Sequence, residues 1–360
     1  MPVRNPRREA IRRGLSYALL TIVGITTLLP FVWMLSASLK PGGVFYEEDR
    51  WWQNWVPGKS RAWIIEDGRE IPVRKVAETE TGIEVRVLDG EQEPLFVPRA
   101  QYHEGWRAEI RWRNFPDAWN AVNLGRGYSN SLLVAFLVTL GQVFTSSMAA
   151  FAFARLKFFG RDLLFFGYLA TMMIPSAVTM IPVYVLFARG PALLDEFFGT
   201  SIFTADFYLF GTIEVGHLLG MDSYMALVLP GIFSAFGTFM LRQLFMTVPA
   251  ELEEAARMDG CTAFGVYWRI FLPISKPAVA TLALMTFMGA WRNFTWPLIV
   301  AQSAALRTLP VMLSYFIGEH SQEYNLLMAG SLIVLIPEIL LFVFVQRYFV
   351  EGIRMGAVKG

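Results

Sequence analysis

Six long apolar stretches, separated by polar and charged segments, set the pattern of this sequence. Each has about 20 residues or more, which is the length that an α-helix needs to cross the hydrocarbon core of a bilayer. The pattern predicts an all-α polytopic membrane protein with about six transmembrane helices. The stretches cover residues of about 15–39, 129–153, 163–187, 224–245, 278–300 and 326–349.

The polar segment between the first two stretches, residues 40–128, has a different period. Apolar and polar residues alternate in the short pieces AWIIEDGREIPVRKV, TGIEVRVLDG and EPLFVP. The pairs Asp67-Gly68 and Asp89-Gly90 between them are typical of hairpin turns. The alternation predicts a small β-rich insert, and a long disordered loop is the alternative.

The third stretch contains two prolines, Pro175 and Pro182, at membrane depth. Each proline removes one helical hydrogen bond, and a bilayer tolerates this only where neighbouring helices or a water-lined path satisfy the backbone. We therefore expect a kinked helix that faces protein.

A polar interruption at residues 248–277 lies between the fourth and fifth stretches. Pro249 suits a first helical turn, and Gly260 is a stop signal, so two short helices are predicted here. The second helix is expected to end at Pro273 and to carry one aromatic stripe, directed at the ends of the spans. The stripe consists of Phe264, Tyr267, Trp268 and Phe271.

Composition and charge agree with a membrane protein. Hydrophobic residues make up 54% and charged residues 17% of the chain, and the mean hydropathy is +0.43. Basic residues gather before the first stretch, after the second, around 242–276 and in the tail, so these segments are predicted to be cytoplasmic. Both termini then lie inside and the insert lies outside, in an extracytoplasmic position. The predicted organisation is 1–39 (N-terminus and first span), 40–128 (insert), 129–349 (transmembrane core) and 350–360 (cytoplasmic tail).

The sequence offers little for catalysis or metal binding. Cys261 is the single cysteine, the three histidines are dispersed, and no phosphate-binding G-x-x-x-x-G-K-[ST] loop is present. We expect no metal site, no cofactor in this chain and no enzymatic activity. The charges form no basic face for nucleic acid.

The polar interruption carries a spaced motif: Glu254-Ala255-Ala256, three residues, Gly260, nine residues, then Ile270, Leu272 and Pro273. This spacing resembles the signature loop of importer-type ABC transporter permeases. The segments ARLKFFGRDLL, TWPLIV, RTLPV and QRYFVEGIRMGAVKG look like the maltose-type, MalG-like carbohydrate-uptake permeases. The resemblance covers about 14–39 and 114–360, and it leaves out roughly 49–113.

The resemblance implies an inner-membrane permease subunit of an ATP-driven importer for a sugar or oligosaccharide. Its implied partners are a second, different permease, two ATPase subunits that bind ATP and Mg, an extracytoplasmic solute-binding protein and membrane lipid. A permease for a non-sugar solute and an ion-driven secondary transporter are the alternatives. The implied ATPase-coupling residues are Glu254, Ala255, Ala256, Asp259, Gly260, Ile270, Leu272 and Pro273. Ala255 and Ala256 are small enough for close approach to a partner.

Ionisable residues within predicted spans are hypotheses for functional sites, because they are costly in a bilayer. Arg292, Asn293 and Glu338 are therefore candidates for the translocation path. Arg292 could instead extend to the outer interface. Glu338 could pair with Arg292 or with the partner permease, or make a structural contact between helices. Trp291 and Trp296 are interpreted as packing or interface residues.

Overall fold

The computed structural model describes residues 6–41, 55–66, 69–78, 82–87, 94–209, 213–217, 219–318 and 323–357. The chain divides into two compact units. One unit comprises Met1–Val122 and Tyr315–Ile333, and the other comprises Asn123–Ser314 and Val334–Gly360.

The first unit begins with one long helix, α1 (Pro6–Ser38). Its 27 residues from Arg12 to Ser38 are long and apolar enough to cross a membrane, and none of the most apolar window is buried inside the protein. A helix that shows apolar side chains on all sides is typical of a membrane span. The first predicted span is confirmed as a helix of sufficient length.

The insert is a five-stranded antiparallel sheet, so the prediction of a β-rich segment is confirmed. The strand order is β4-β3-β2-β1-β5. The fifth strand was not predicted, and the turn pairs Asp67-Gly68 and Asp89-Gly90 lie outside the described residues. The strands are β1 (Gly58–Glu66), β2 (Arg69–Glu78), β3 (Ile83–Val87), β4 (Leu95–Val97) and β5 (Tyr102–Ala108).

The sheet of the insert must be strongly curled. In a flat sheet, β4 and β5 would lie about 19 Å apart, because four spacings of about 4.8 Å separate them. The link from Val97 to Tyr102 is much shorter, since the 3₁₀ turn Arg99–Gln101 rises only about 2 Å per residue. Curling brings the edges together and buries an apolar core on the concave face. This core consists of Ile64, Val73, Ile83, Val85 and Val97.

The chain leaves the insert through a tight connection to the end of α1. The next helix, α2 (Asn114–Ala121), starts with a residue that is only 1% exposed. The side-chain amide of Asn114 donates hydrogen bonds to the carbonyls of Ser38 and Lys40, each at 2.7 Å. The backbone N–H of Arg111 donates to the carbonyl of Leu39 at 2.9 Å. These bonds satisfy carbonyls at the end of α1 that have no partner within the helix.

The second unit contains most of the helices, and residues of its last two helices are divided between the units. A β-hairpin, β6 (Asp206–Leu209) and β7 (Ile213–His217), lies between α5 and α6 in the sequence. Short 3₁₀ turns cover Thr171–Met173 and Leu229–Gly231. The helices are α3 (Leu124–Arg155), α4 (Arg161–Ala170), α5 (Ser176–Phe198), α6 (Tyr224–Val228), α7 (Ala235–Thr247), α8 (Ala250–Met258), α9 (Ala263–Val266), α10 (Leu272–Ile274), α11 (Lys276–Trp291), α12 (Thr295–Val300), α13 (Leu309–Gly318) and α14 (Tyr324–Ala357). A π-helical turn, Tyr267–Phe271, joins α9 to α10.

The described part of the chain has four single helices that could each cross a membrane, or six spans if two bent pairs are counted. The single helices are in α1, α3, α5 and the first part of α14. One bent pair joins Tyr224–Gly231 to Ala235–Thr247 at 41°, and the other joins Ala263–Ile274 to Lys276–Trp291 at 81°. The mostly helical, multi-span architecture is confirmed, and the number of spans lies between four and six.

Three predicted boundaries differ from the structure. The third stretch is broken at Pro175, whose ψ of 134° is not helical, whereas Pro182 stays inside α5. Proline restricts the residue before it to extended conformations, and Ile174 has a ψ of 119°. Helix α5 also continues to Phe198, into the predicted outer loop, and α13 lies where a short loop was expected. The apolar pattern alone did not separate helix from loop at these ends.

The packing of the second unit centres on α3, which lies along α7 and α11. The crossing is close at Gly237, where an added Cβ would lie 2.7 Å from the hydroxyl of Ser146 and 3.1 Å from Leu282. A glycine is therefore required at this point of α7. Buried aromatic residues of the neighbouring helices complete the core below it, and the segment described next packs against them.

Candidate functional site

The predicted pair of short helices is present at residues 250–274. Helix α8 follows Pro249 and ends at Met258, and Gly260, with a φ of +82°, turns the chain just after it. The N–H of Cys261 donates to the carbonyl of Ala256 at 2.9 Å and closes the turn. Nothing lies within 4 Å of a Cβ added at Gly260, so glycine is needed for the backbone angle and not for space. We call residues 249–274 the coupling segment.

One arginine joins the coupling segment to the membrane helices. Arg155, the last residue of α3, is only 12% exposed, and its Nη2 donates to the carbonyls of Phe245, at 2.7 Å, and of Val248. Its Nη1 lies 3.9 Å from the carboxylate of Glu253, which is 13% exposed. The guanidinium carbon also lies 4.9 Å from the ring centroid of Phe271. Arg155 thus contacts α7, α8 and the π-helical turn at once.

Buried aromatic residues attach the second half of the coupling segment. Tyr267 and Phe271 are 2% and 0% exposed, and their rings lie 5.6 and 5.1 Å from the ring of Phe151 in α3. The hydroxyls of Tyr267 and Ser147 share a buried hydrogen bond of 2.8 Å. Phe245 of α7 packs edge to face on Phe271 at 5.4 Å. A movement of this half of the segment is therefore transmitted directly to α3 and α7.

The predicted aromatic stripe divides into two rows. Tyr267 and Phe271 face the spans as expected, but Phe264 and Trp268 are 57% and 55% exposed and stack on each other at 6.3 Å. The expectation that all four rings face the spans was wrong. The π-helical turn has more residues per turn than an α-helix, so positions that share one α-helical face separate here.

The eight residues predicted to couple to an ATPase divide between the surface and the core. The surface members are Glu254, Ala255, Asp259, Gly260 and Pro273. The packed members are Ala256, which is 7% exposed, and the partly buried Ile270 and Leu272. The small size of Ala256 is used within the chain, because it lets α8 lie against the core. Glu254 makes no ion pair or hydrogen bond with the described residues.

A cavity of about 720 Å³ lies among the helices of the second unit. Three interruptions of the helices meet at its wall: the breaks before Ser176, before Ala235 and after Trp291. Irregular backbone at membrane depth occurs where it is covered by protein or lines a water-filled space. The cavity explains why three breaks occur at one place.

Side chains of α3 and α7 satisfy the backbone at the second break. The hydroxyl of Thr145 donates to the carbonyl of Ile232. Ser234 is the N-cap of α7, and its hydroxyl accepts from the N–H of Gly237 at 3.0 Å. The carbonyl of Ile232 and the N–H of Gly237 therefore both have partners within the protein.

The wall of the cavity is apolar with several convergent polar groups. Gln142 donates to the hydroxyl of Thr286 at 2.8 Å and links α3 to α11. The indole N–H of Trp296 donates to the carbonyl of Ala226 at 2.8 Å. With its polar atom bonded in this way, Trp296 contributes apolar ring surface to the cavity wall. This combination is typical of sites for small polar molecules. The polar side chains of the wall are Gln142, Ser176, Thr179, Thr286, Asn293 and Thr295.

The three ionisable or polar candidates for the path have different positions. Asn293 lines the cavity, whereas Arg292 and Glu338 are not part of its wall. Arg292 instead binds both carboxylate oxygens of Glu338, with Nε to Oε1 at 2.7 Å. The carboxylate is 7% exposed and the guanidinium side chain is 60% exposed. A bidentate pair of this kind satisfies a charge that is costly inside a membrane.

The two tryptophans of this region have different surroundings. Trp291 is 1% exposed, stacks on Phe287 at 5.9 Å and donates its indole N–H to the carbonyl of Val334 at 3.1 Å. It is a packing residue, as expected. Trp296 lines the cavity and is held at 6.2 Å from Phe187.

Sequence reasoning missed the roles of Arg155 and Glu253. The charge pattern included Arg155 only as one of the basic residues after the second stretch. No spacing rule relates Arg155 to Val248, because they are 93 residues apart. Among the described residues, no group of three or more His, Cys, Asp or Glu side chains could hold a metal ion.

Comparison with known proteins gives consistent matches. A family described as "Binding-protein-dependent transport system inner membrane component" matches residues 142–355. The arabinooligosaccharides transport system permease protein AraQ of Bacillus subtilis is 35% identical over 233 residues, which are 65% of this chain and 73% of that protein. The sn-glycerol-3-phosphate transport system permease protein UgpE of Yersinia pestis is 32% identical over 251 residues, 67% of this chain and 79% of that protein.

A solved structure has a similar fold. It is a crystal structure of a bacterial ABC transporter involved in the import of the acidic polysaccharide alginate. The alignment covers 97% of this chain and all of the other chain, with a TM-score of 0.62 and 18% identity. At this identity, the likeness concerns the fold alone.

The contacts of Arg155 generate a prediction. Replacing Arg155 by lysine keeps the charge but removes the planar fork, so one ammonium cannot serve two carbonyls, Glu253 and the ring of Phe271 together. We expect a loss of about 1–3 kcal/mol in the attachment of α8, since a buried hydrogen-bond partner is removed. Hydrogen exchange of the amides of 250–258 should become faster.

The matched control is Arg161→Lys. Arg161 pairs with the exposed carboxylate of Asp162 at 2.9 Å, and this hydrogen bond lowers the pKa of Asp162. Exposed ion pairs contribute little to stability, so exchange in 250–258 should not change. Wild-type exchange rates in the Arg155→Lys protein would contradict the anchoring role.

Proposed function

This chain belongs to the family of binding-protein-dependent transport system inner membrane components, and we propose that it is the permease subunit of an ATP-driven importer for a sugar or oligosaccharide. The observation that carries the proposal is the coupling segment, an exposed helix pair fixed to α3, α7 and α11 by Arg155, Tyr267 and Phe271. A separate chain supplies the energy, because the family consists of transport subunits and not of enzymes.

The coupling segment is the surface on which we place the ATPase partner. Besides the exposed Glu254, the coupling segment exposes four large apolar side chains: Leu252 at 44%, Met258 at 88%, Phe264 at 57% and Trp268 at 55%. A cluster of exposed apolar residues with a charge on a short rigid helix is typical of a protein interface. The ATPase would bind ATP and Mg, and its closure would push the segment.

The orientation follows from charge. Arg155, Lys157, Arg161 and Arg257 lie on the side of the coupling segment, and basic residues favour the cytoplasm. We therefore place this side and both termini in the cytoplasm and the insert outside. The coupling segment then faces the compartment that contains ATP.

The cavity is the part of the translocation path that this chain supplies. Broken helices, polar side chains and one aromatic ring meet there, as in transporters whose binding sites lie near mid-membrane. Closure of an ATPase pair would move the coupling segment, then α3 and α7, and so change the access of the cavity to either side. A second, different permease would form the opposite wall.

The class of solute is supported by the relatives. AraQ is named for arabinooligosaccharides, and the polar groups with one ring in the cavity suit a sugar. The relatives named UgpE are permeases for sn-glycerol-3-phosphate, so a phosphorylated polyol is the second candidate. A solute-binding protein outside would deliver either solute, and the insert would contact that protein or cover the outer opening.

The coupling role leads to a test at Glu254. Charge reversal by Glu254→Lys should abolish most solute uptake without changing the membrane insertion or unfolding temperature, because Glu254 has no partner among the described residues. The measurement is uptake of labelled solute by cells, with expression followed by immunoblot. The control is Glu196→Lys, at an exposed position near the C-terminal end of α5. Normal uptake by Glu254→Lys would remove Glu254 from the interface.

The proposed translocation path can be tested at Gly289. This residue lines the cavity, and a Cβ added there meets nothing within 4 Å. Gly289→Phe should fill part of the cavity and reduce uptake strongly, whereas the protein should remain folded. Gly167→Phe is the matched control, since Gly167 is also open to a new side chain and lies in α4, outside the wall. Equal uptake by the two variants would show that solute does not pass this cavity.

The solute itself is tested with two probes. Cells that lack this chain should lose uptake of labelled arabinooligosaccharide and regain it when the gene is restored. The second probe, labelled sn-glycerol-3-phosphate, should enter equally with and without the chain. The opposite pattern would assign the chain to phosphorylated polyols, and loss of neither uptake would contradict both assignments.

A further inference from the structure

Three large apolar side chains next to the insert are unusually exposed. Ile110 is 58%, Trp112 is 66% and Trp119 is 39% exposed. They lie between the end of β5 and the end of α2, in a stretch of ten residues. We call Ile110, Trp112 and Trp119 the collar. Tryptophan is rarely left in water without a reason, because it buries more apolar surface than most side chains.

The structure fixes the height of the collar relative to the membrane span α1. The N–H of Arg111 is bonded to the carbonyl of Leu39, so the collar residues Ile110 and Trp112 lie directly beside the end of α1. The buried amide of Asn114 holds the carbonyls of Ser38 and Lys40 at 2.7 Å. Because α1 is apolar up to Ser38, its end marks the boundary between hydrocarbon and water. A membrane crossed by α1 would therefore have its headgroup layer at the level of Ile110 and Trp112.

Charged residues alternate with the collar. Arg111 is exposed, and the side chain of Arg113 is 80% exposed. The ion pair of Arg113 with Asp117 is long, at 3.6 Å, and the side chain of Asp117 is 41% exposed. Guanidinium groups bind phosphate through two parallel hydrogen bonds, and indole rings are favoured at the headgroup level. Aromatic and arginine side chains together match a phospholipid surface.

Trp63, in strand β1 of the sheet, differs from the collar. Trp63 stacks on His103 at 6.1 Å and has the guanidinium of Arg107 at 4.5 Å from its ring, so its faces are covered by its own sheet. Trp112 has a described ring partner in Phe115, at 6.4 Å, and remains two thirds exposed. Trp112, beside the end of α1, is therefore less covered by its own chain than Trp63.

We propose that the collar, with Arg111 and Arg113, binds the phospholipid headgroup layer and holds the insert at a fixed height on the membrane surface. The occupant is lipid, because the collar continues the surface of α1, an apolar span whose most apolar window is not buried within the protein. The insert would then stay with α1 and the membrane when the other helices move. This assignment is independent of the solute.

The test measures the depth of single spin labels in the complete transporter, reconstituted in phospholipid nanodiscs. Cys261 is replaced by serine, and a nitroxide is attached at Trp112→Cys or, as a second position, at Ile110→Cys. The matched control is Phe96→Cys, an aromatic position of β4 that is 55% exposed. Collisions with oxygen report lipid, and collisions with a water-soluble nickel chelate report water.

We expect labels at 112 and 110 to lose nickel accessibility and gain oxygen accessibility relative to the label at 96. Nickel accessibility at 112 and 110 equal to that at 96 would place the collar in water and overturn the proposal. Low accessibility to both reagents would also overturn it, because a second protein would then cover the collar. Agreement of the two collar positions guards against misfolding of one variant.

Discussion

The bilayer requires that every backbone polar group inside it has a partner, and this constraint shapes the second unit. Three helices are interrupted, before Ser176, before Ala235 and after Trp291, and all three interruptions border one cavity. At the second break, Thr145 and Ser234 supply the missing hydrogen bonds. At this break, α3 therefore supplies one of the hydrogen bonds that the interrupted span lacks. The same helix carries Arg155 at its end, so the cavity wall and the anchor of the coupling segment are one rigid element.

This arrangement gives the coupling segment a mechanical connection to the cavity. Arg155 and Ser147 bind the segment, and Gln142, about one and a half turns before Ser147, lines the cavity. A displacement at Glu253 or Tyr267 thus reaches the cavity wall through a single helix. The outward row of Phe264 and Trp268 remains for a partner. Inward and outward rows exist because the π-helical turn separates residues that an α-helix would place on one face.

The insert has a core of its own and its own attachment to α1. Its curled sheet has its own apolar core and is connected to α1 by Asn114 and Arg111. The family match begins at residue 142, so neither the insert nor α1 is part of it. A small sheet with its own core can be added between two helices without disturbing them if the two ends of the inserted segment lie close together. The bonds of Asn114 and Arg111 to the end of α1 hold the C-terminal end of the insert there.

The sequence by itself determined the membrane class, the apolar stretches, the β-rich insert and the two short helices around Gly260. These features depend on local composition and period: apolar runs of sufficient length, alternation, and a glycine that ends a helix. Most of the residues that line the cavity, by contrast, were identified only from the tertiary structure. Pro175 signalled an interruption of the third stretch, but no local pattern showed that it meets the breaks near Ser234 and Asn293.

Only the tertiary structure decided the pairings between distant residues. Arg292 binds Glu338 across 46 positions, and Arg155 binds the carbonyl of Val248 across 93. Such contacts depend on the directions in which helices cross, and these directions arise from packing at points such as Gly237. A single sequence records the residues that take part but not their distances, so it identified Arg292 and Glu338 as costly charges and left their partnership to the fold.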